Sequence, residues 1–167
     1  MEQAPSSDHR PRLTQAISAL LRERRVAALG TVQDDGAPFV SMVPYAVETG
    51  QAWLVLHVSA LAAHTANLLA RPRVSLLVTQ GEMAGEPVHA LPRLTLVGRA
   101  QRLEPGSADW QVCRSAYLQR FPEAEPMTQL GDFSFIAIVP EAARQIAGFG
   151  AARSVDAEEL RQILGEG

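Results

Sequence analysis

The chain has 167 residues, of which 47% are hydrophobic, and a formal net charge of −3 with its four histidines counted as neutral. This length and apolar content predict a single globular domain. The acidic balance leaves no surplus of cations for binding nucleic acid. A single cysteine, Cys113, excludes an intrachain disulfide and a cysteine-based zinc site. We expect no metal site, since the histidines lack metal-ligand spacing with carboxylates.

The apolar runs are shorter than a bilayer span and no segment resembles a signal peptide, so we expect a cytoplasmic protein that does not bind membranes. Polar residues 1–9 are predicted to form a disordered tail, and residues 10–167 a single domain. The first predicted element is an amphipathic helix over residues 12–24, whose apolar positions are Leu13, Ile17, Leu20 and Leu21.

An Asp35-Gly36 step between two strand-like segments is typical of a β-hairpin. Six strands are predicted in all, over residues 26–32, 37–47, 52–58, 73–79, 90–103 and 133–146. Pro140 within the last strand indicates an edge position or a bulge. The turns between the first three strands are too short for crossover helices, so we expect an antiparallel sheet.

Three further helices are predicted, over residues 60–70, over residues 107–120 and from Asp156 to the end of the chain. Ser59 is predicted to cap the first of them. The second carries an aromatic stripe that we assign to the core: Trp110, Cys113, Tyr117 and Phe121. The last has a capping-box start and buries Leu160, Ile163 and Leu164. Together these elements predict a mainly β (α+β) fold, a small antiparallel barrel with peripheral helices.

The helix over residues 60–70 carries His64, Thr65 and Asn67 on a segment otherwise rich in alanine and leucine. At about 100° per residue, His64 lies at the edge of the buried face. If Ser59 is the cap, free backbone N–H groups and the positive end of the helix dipole form a corner suited to phosphate. The alternative is a partly buried histidine that bonds to a backbone carbonyl.

Other candidate residues have equally ordinary alternatives. Ser41, on the second strand, could donate a hydrogen bond to a ligand or be a neutral strand residue. His57 ends the third strand, where it could face a site or simply lie on the surface. Arg93 and Arg99 share a face of the fifth strand and could be solvated charges.

In chain order, these segments resemble the pyridoxamine 5′-phosphate oxidase-like FMN-binding split barrels, and within them the haem-utilisation branch. The stretches that carry the resemblance are "GTVQDDGAPFVSMVPYAVETG", "SALAAHTANLLARPRVSLLV", "PRLTLVGRAQRL" and "AGFGAA". They span about residues 20–155. The resemblance implies a six-stranded antiparallel split β-barrel that binds FMN at the interface of a homodimer.

The resemblance also implies roles for individual residues. Ser41, Met42, Val43 and Pro44 match the strand that lies along the isoalloxazine and ribityl chain, and His57, Val58 and Ser59 match the neighbouring strand end. His64 and Thr65 would bind the phosphate, with Asn67 a weaker candidate. Arg93 falls where the oxidases have a flavin-contacting glutamine.

One departure from the family pattern concerns the residues that hold the FMN phosphate. Where the oxidases have an arginine and a lysine, this chain has Ala63 and His64, which argues against oxidase activity on pyridoxamine phosphate. Our leading interpretation is an FMN-dependent oxidoreductase of the haem-utilisation group, with haem as a further ligand or substrate. The alternatives are a non-enzymatic carrier or sensor for flavin or haem, and a structural dimer without a cofactor. The sequence identifies no catalytic residue.

Overall fold

The computed structural model describes residues 10–166, and the tail predicted over residues 1–9 lies outside them. This part of the chain contains four α-helices and eight strands: α1 (Arg10–Glu23), β1 (Val26–Val32), β2 (Pro38–Pro44), β3 (Ala46–Glu48), β4 (Trp53–Ser59), α2 (Ala63–Ala70), β5 (Arg73–Thr79), β6 (Arg93–Arg102), α3 (Ala108–Arg120), β7 (Phe133–Ile146), β8 (Ala152–Asp156) and α4 (Ala157–Gly165). None of these helices is both long and apolar enough to cross a bilayer.

The strands form one antiparallel sheet in the order β2-β1-β5-β6-β7-β4-β3, with β8 paired to β7. The first and last strands of this order follow each other in the chain, because β2 passes into β3 through Tyr45. The two ends of the sheet therefore meet at this corner, and the sheet curls into a barrel. The prediction of a mainly antiparallel barrel with peripheral helices is confirmed.

The prediction of six strands is wrong in number, for two reasons. The segment predicted as one strand over residues 37–47 changes partner at Tyr45, so that β2 pairs with β1 while β3 pairs with β4. Pro44 ends the first of these ladders because it has no N–H to donate. The other missed strand is β8, which is short and mostly exposed and follows a turn in which Gly148 and Gly150 have positive φ.

Tyr45 fixes the corner between β2 and β3. Its ring is fully buried, and its hydroxyl donates to the carbonyl of Leu21 near the end of α1 at 2.9 Å. Burial raises the pKa of Tyr45 to about 12, so the hydroxyl stays a donor at every physiological pH. Arg120 from α3 donates to the same carbonyl at 3.3 Å, and α1 is thereby tied to both the corner and α3.

The core has two parts. The barrel interior is filled by alternate residues of the strands together with apolar residues of α1 and α4, among them Leu29, Val43, Leu56, Leu76, Leu21 and Leu160. A second cluster lies between α3 and the outer side of β4 and β7, and it includes Val55, Cys113, Tyr117, Phe121 and Phe135. The assignment of the aromatic stripe of α3 to the core is confirmed. The capping role of Asp156 is confirmed as well, since its carboxylate accepts from the N–H of Glu159.

Pro140 lies at a bulge, and the edge alternative holds locally as well: β4 pairs with β7 only up to Ile138 and β8 only from Ala142, so within the described chain residues 139–141 pair with β6 alone. In the pairing of β6 with β7, Val97 lies opposite Ala142 while Gly98 lies opposite Pro140, which leaves Glu141 as the extra residue. The carboxylate of Glu141 pairs with two arginines on the neighbouring strands, Arg73 at 3.3 Å and Arg99 at 3.5 Å.

We expect Gly98→Ala to lower the free energy of unfolding by about 1–3 kcal/mol. A Cβ at residue 98 would lie 2.7 Å from the carbonyl oxygen of Val139, which is backbone and cannot easily move. The matched control is Gly30→Ala in β1, where a Cβ would make an ordinary contact of 3.6 Å with Ser75. Urea unfolding measures both, and equal stabilities for the two variants would contradict the prediction.

Candidate functional site

The barrel is split along one side. On the side away from β1, no strand among residues 10–166 pairs with β2. Strand β4 pairs with β3 only through Trp53–Val55, so residues 56–59 lack a strand partner there within the described chain. Strands β2 and β4 approach each other at this point. We call the gap between β2 and residues 56–59 the slit; its two edges present backbone N–H and C=O groups outside any ladder.

The first turn of α2 joins the two edges of the slit. On one side, the Nδ1 atom of His64 lies 3.0 Å from the Oγ of Ser41 in β2. On the other side, the hydroxyl of Thr65 donates to the carbonyl of Ser59 in β4 at 2.6 Å. The sequence predicted Ser41 and His64 as separate candidates, and the structure brings them into direct contact.

The prediction that Ser59 caps α2 is wrong. The helix begins at Ala63 and its cap residue is Ala62, with no side-chain cap. Residues 59–62 form a turn of their own, in which the N–H of Ala62 donates to the carbonyl of Ser59, and this turn delays the helix start. The Ser59 hydroxyl accepts from the N–H of Leu61 and lies 3.2 Å from the carboxylate of Asp132.

His64 is partly buried at the edge of the slit, and this burial lowers the pKa of its ring. The ring is therefore neutral at pH 7, and one nitrogen donates while the other accepts. When Ser41 donates to Nδ1, the proton of the ring is on Nε2 and a donor is available to a ligand. The site thus offers a neutral hydrogen-bond donor, where a lysine would offer a formal charge.

The side chains of Thr65 and Asn67 are engaged inside the fold. Both residues are buried. The Thr65 hydroxyl uses its proton on Ser59, and the Asn67 amide donates to the hydroxyl of Thr31 in β1 at 3.0 Å. These bonds hold α2 against the barrel, and the Thr65 hydroxyl could donate to a phosphate only if its bond to Ser59 broke. The Asn67 amide has a second N–H besides the one that Thr31 accepts. Direct contact of Thr65 or Asn67 with a ligand stays a prediction.

Thr31 belongs to the site and was missed in the sequence. It lies on the inner face of β1 in line with Ala27 and Leu29, which are core residues. A threonine at the end of such an apolar row was the available signal. Its partner could not be found, because Asn67 lies 36 positions further along the chain.

His57 points away from the pair formed by Ser41 and His64. Residues of β4 alternate, so Leu56 and Val58 face the barrel interior while His57 faces the cluster under α3. Its ring lies 4.5 Å from that of Phe135 and stacks on Phe133 at 4.9 Å. Its Nδ1 atom is buried without a partner in the described part of the chain, and burial lowers the pKa of His57 to about 4. Only the backbone of His57 lies at the slit.

The remaining predicted residues divide between the slit and the rest of the barrel. The side chains of Val43 and Val58 are buried in the barrel core, so only the backbone atoms of these residues border the slit. Met42 and Pro44 point outward from β2. Arg93 begins β6, which β1 and β5 separate from β2, and its guanidinium donates to the carbonyl of Leu91 at 3.0 Å. The structure does not bring Arg93 to the slit of its own chain, and its role stays a prediction.

An apolar surface covers the outer face of β2, β1 and β5 beside the slit. Val40 and Met42 are 67% and 66% exposed. The registers place Met42 opposite Ala28, and Ala28 opposite Leu77, so the exposed side chains are neighbours on one face. A continuous apolar face of this kind on a sheet is typical of a surface that binds another protein.

An antiparallel split barrel with an edge slit and peripheral helices is the fold of the pyridoxamine 5′-phosphate oxidase-like proteins. The family model described as pyridoxamine 5′-phosphate oxidase matches residues 13–147, and the chain belongs to this family.

Two characterised relatives are named for haem. The chain is 32% identical over 150 residues to a haem oxygenase, HutZ, of Vibrio cholerae, covering 89% of this chain and 84% of that protein. A crystal structure of HutZ, which is called a haem storage protein in that case, matches with 30% identity and a TM-score of 0.70. The match covers 77% of this chain and 90% of the HutZ chain. A haem-binding protein from Mycobacterium smegmatis has a TM-score of 0.81 and 27% identity over 96% of this chain. The chain spans 62% of the length of that mycobacterial protein.

We expect His57 to make stability depend on pH. Its pKa is about 4 in the folded chain against 6.5 when unperturbed, so the unfolded chain takes up the proton first as the pH falls. The free energy of unfolding should therefore decrease between about pH 6.5 and about pH 4, by about 1–2 kcal/mol once the partial exposure of the ring is allowed for.

His57→Phe should lose this decrease, since phenylalanine does not titrate. His89→Phe is the control, because it replaces an exposed histidine of the short 3₁₀ helix Val88–Ala90 and should leave the dependence unchanged. Urea unfolding at pH 7 and pH 5 measures both variants. A wild-type pH dependence in His57→Phe would show that another group is responsible.

Proposed function

We propose that this protein is an FMN-binding oxidoreductase whose cofactor lies in the slit, at the interface of a homodimer. The observation that carries the proposal is the pairing of His64 with Ser41 where the first turn of α2 joins the two edges. This turn brings a neutral ring donor and backbone N–H groups to one point, and these are groups that a phosphate ester accepts from.

The slit suits the rest of a flavin nucleotide. The edges of β2 and of residues 56–59 offer alternating N–H and C=O groups that no strand uses among residues 10–166, and the pyrimidine end of an isoalloxazine carries matching acceptors and donors. Val43 and Val58 close the barrel behind the slit and would exclude water. When bound, FMN would supply hydride or electron transfer, while the protein orients it and sets the polarity around it.

The phosphate would be held without a formal charge from α2. No arginine or lysine lies between Ala63 and Ala70, and burial keeps His64 neutral. Neutral hydrogen bonds are weaker than charge-assisted ones, so we expect weaker FMN binding than in a protein with the arginine and lysine of the oxidases.

The homodimer is supported by the apolar face that carries Val40, Met42 and Leu77. Such a surface is costly to expose, and an isologous pairing of two copies would cover it on both. Because Met42 extends from the strand that borders the slit, the second copy would also close the cofactor site. Light scattering is expected to give twice the mass of one chain.

His64→Ala should weaken FMN binding by about 1–3 kcal/mol, which is about 5- to 150-fold, because a donor to the phosphate is lost. Fluorescence quenching of FMN on titration with protein measures the dissociation constant. His89→Ala removes an exposed histidine of the short 3₁₀ helix Val88–Ala90 and should bind FMN like the wild type. If His64→Ala also binds like the wild type, the phosphate lies elsewhere.

A second candidate function is a carrier or store for haem. It is favoured by the Vibrio cholerae relative, which is named both as a haem oxygenase and as a haem storage protein. Stopped-flow reduction of the FMN-loaded protein by NADPH, with and without haem, separates the two functions. Flavin that is reduced and reoxidised faster with haem present supports the oxidoreductase. Flavin that stays oxidised, in a protein that binds haem, supports the carrier.

A further inference from the structure

A second concavity lies between α1, α3, α4 and β3, and we call it the helical groove. Its volume is about 290 Å³, and it shares no lining residue with the slit. Its floor is apolar and consists of Leu21, Ala46, Val47, Ala116, Ile163 and Leu164. This volume is near the lower end of the range for small-molecule sites.

Two arginines stand at this apolar floor, Arg22 on α1 and Arg120 on α3. Within residues 10–166, neither has a carboxylate within ion-pair distance, whereas Arg25 beside them is paired with Glu123 at 3.0 Å. Glu166 is the one acidic residue among those that line the groove, and it offers Arg22 its carbonyl oxygen. The hydrogen-bond acceptors that Arg22 and Arg120 have within the described residues are therefore backbone carbonyls.

Arg120 is the more confined of the two. One terminal nitrogen donates to the carbonyls of Leu21, Arg22 and Arg24 at the end of α1, where the helix dipole is negative. Its Nε atom is buried and has no partner in the described chain. Burial and the nearby charge of Arg25 both lower the pKa of Arg120. A neighbouring anion would compensate this desolvated cation.

We propose that the helical groove binds a small amphipathic carboxylate. Its hydrocarbon part would lie on the floor around Ala116, and its carboxylate would face the N–H groups of Arg22 and Arg120, whose planar guanidinium groups match carboxylate geometry. The apolar floor disfavours a ligand that is polar throughout, such as a sugar phosphate. The proposal is independent of the function of the slit.

Calorimetric titration with octanoate tests the site, since its eight-carbon chain fits the floor and its head group is a carboxylate. Octanamide has nearly the same shape without the charge, and should bind about tenfold more weakly or less. Ala116→Leu should weaken octanoate binding by narrowing the groove where the hydrocarbon chain would lie. Arg22→Gln should weaken it by about fivefold or more.

The matched control is Arg161→Gln, which removes the same charge from the exposed face of α4 and should change octanoate binding by less than about twofold. No heat from octanoate up to about 10 mM at either of two well-separated temperatures would overturn the proposal, because the enthalpy of apolar burial can vanish at one temperature but not at both. Equal binding of octanamide, or wild-type binding by Arg22→Gln or Ala116→Leu, would also overturn it. If Ala116→Leu fails to fold, Arg22→Gln decides, because Arg22 is exposed.

Discussion

The constraint on which this structure depends is the attachment of one short helix to two strand edges that do not pair with each other. Unpaired strand edges attract other strands, and proteins cover them or leave them short. Here the first turn of α2 bonds to Ser41 on one edge and to Ser59 on the other, while Asn67 fixes the same helix to β1 through Thr31. The first turn of α2 thereby links both edges of the opening, and its bonds fix His64 and Thr65 relative to the two strands.

The two histidines near the slit lie in different surroundings, because the alternation of β4 turns the side chain of His57 away from the slit while His64 lies on α2 at its end. His57 and His64 are seven positions apart and both are neutral because of burial. One lies among Phe133, Phe135 and Tyr117, where its ring contributes to packing. The other lies beside a hydroxyl at the entrance to the barrel. Burial lowers the pKa of both rings, so neither brings a formal charge to the slit at neutral pH.

Local pattern was sufficient to predict most of the fold. The strand over Arg73–Thr79, the helix from Ala108 and the capping box at Asp156 all follow from periodicity and end signals. The errors in the number of strands arose where pairing with a distant strand determines the structure. Strands β2 and β3 are separate because they pair with different strands. Strand β8 forms because β7 extends far enough to pair with it. For the site, the family resemblance pointed to His64, but its bond to Ser41 and the role of Thr31 depend on contacts between distant parts of the chain, which a single sequence does not reveal.

The corner at Tyr45 gives the slit its second boundary. At this end β2 continues through Tyr45 into β3, which pairs with Trp53–Val55 of β4, and the buried hydroxyl of Tyr45 donates to α1. The gap between the two border strands is thus closed at one end by a strand ladder and spanned at the other by side-chain hydrogen bonds of α2. Widening the first end would break the ladder between β3 and β4, whereas widening the second would break only the bonds that α2 makes to Ser41 and Ser59.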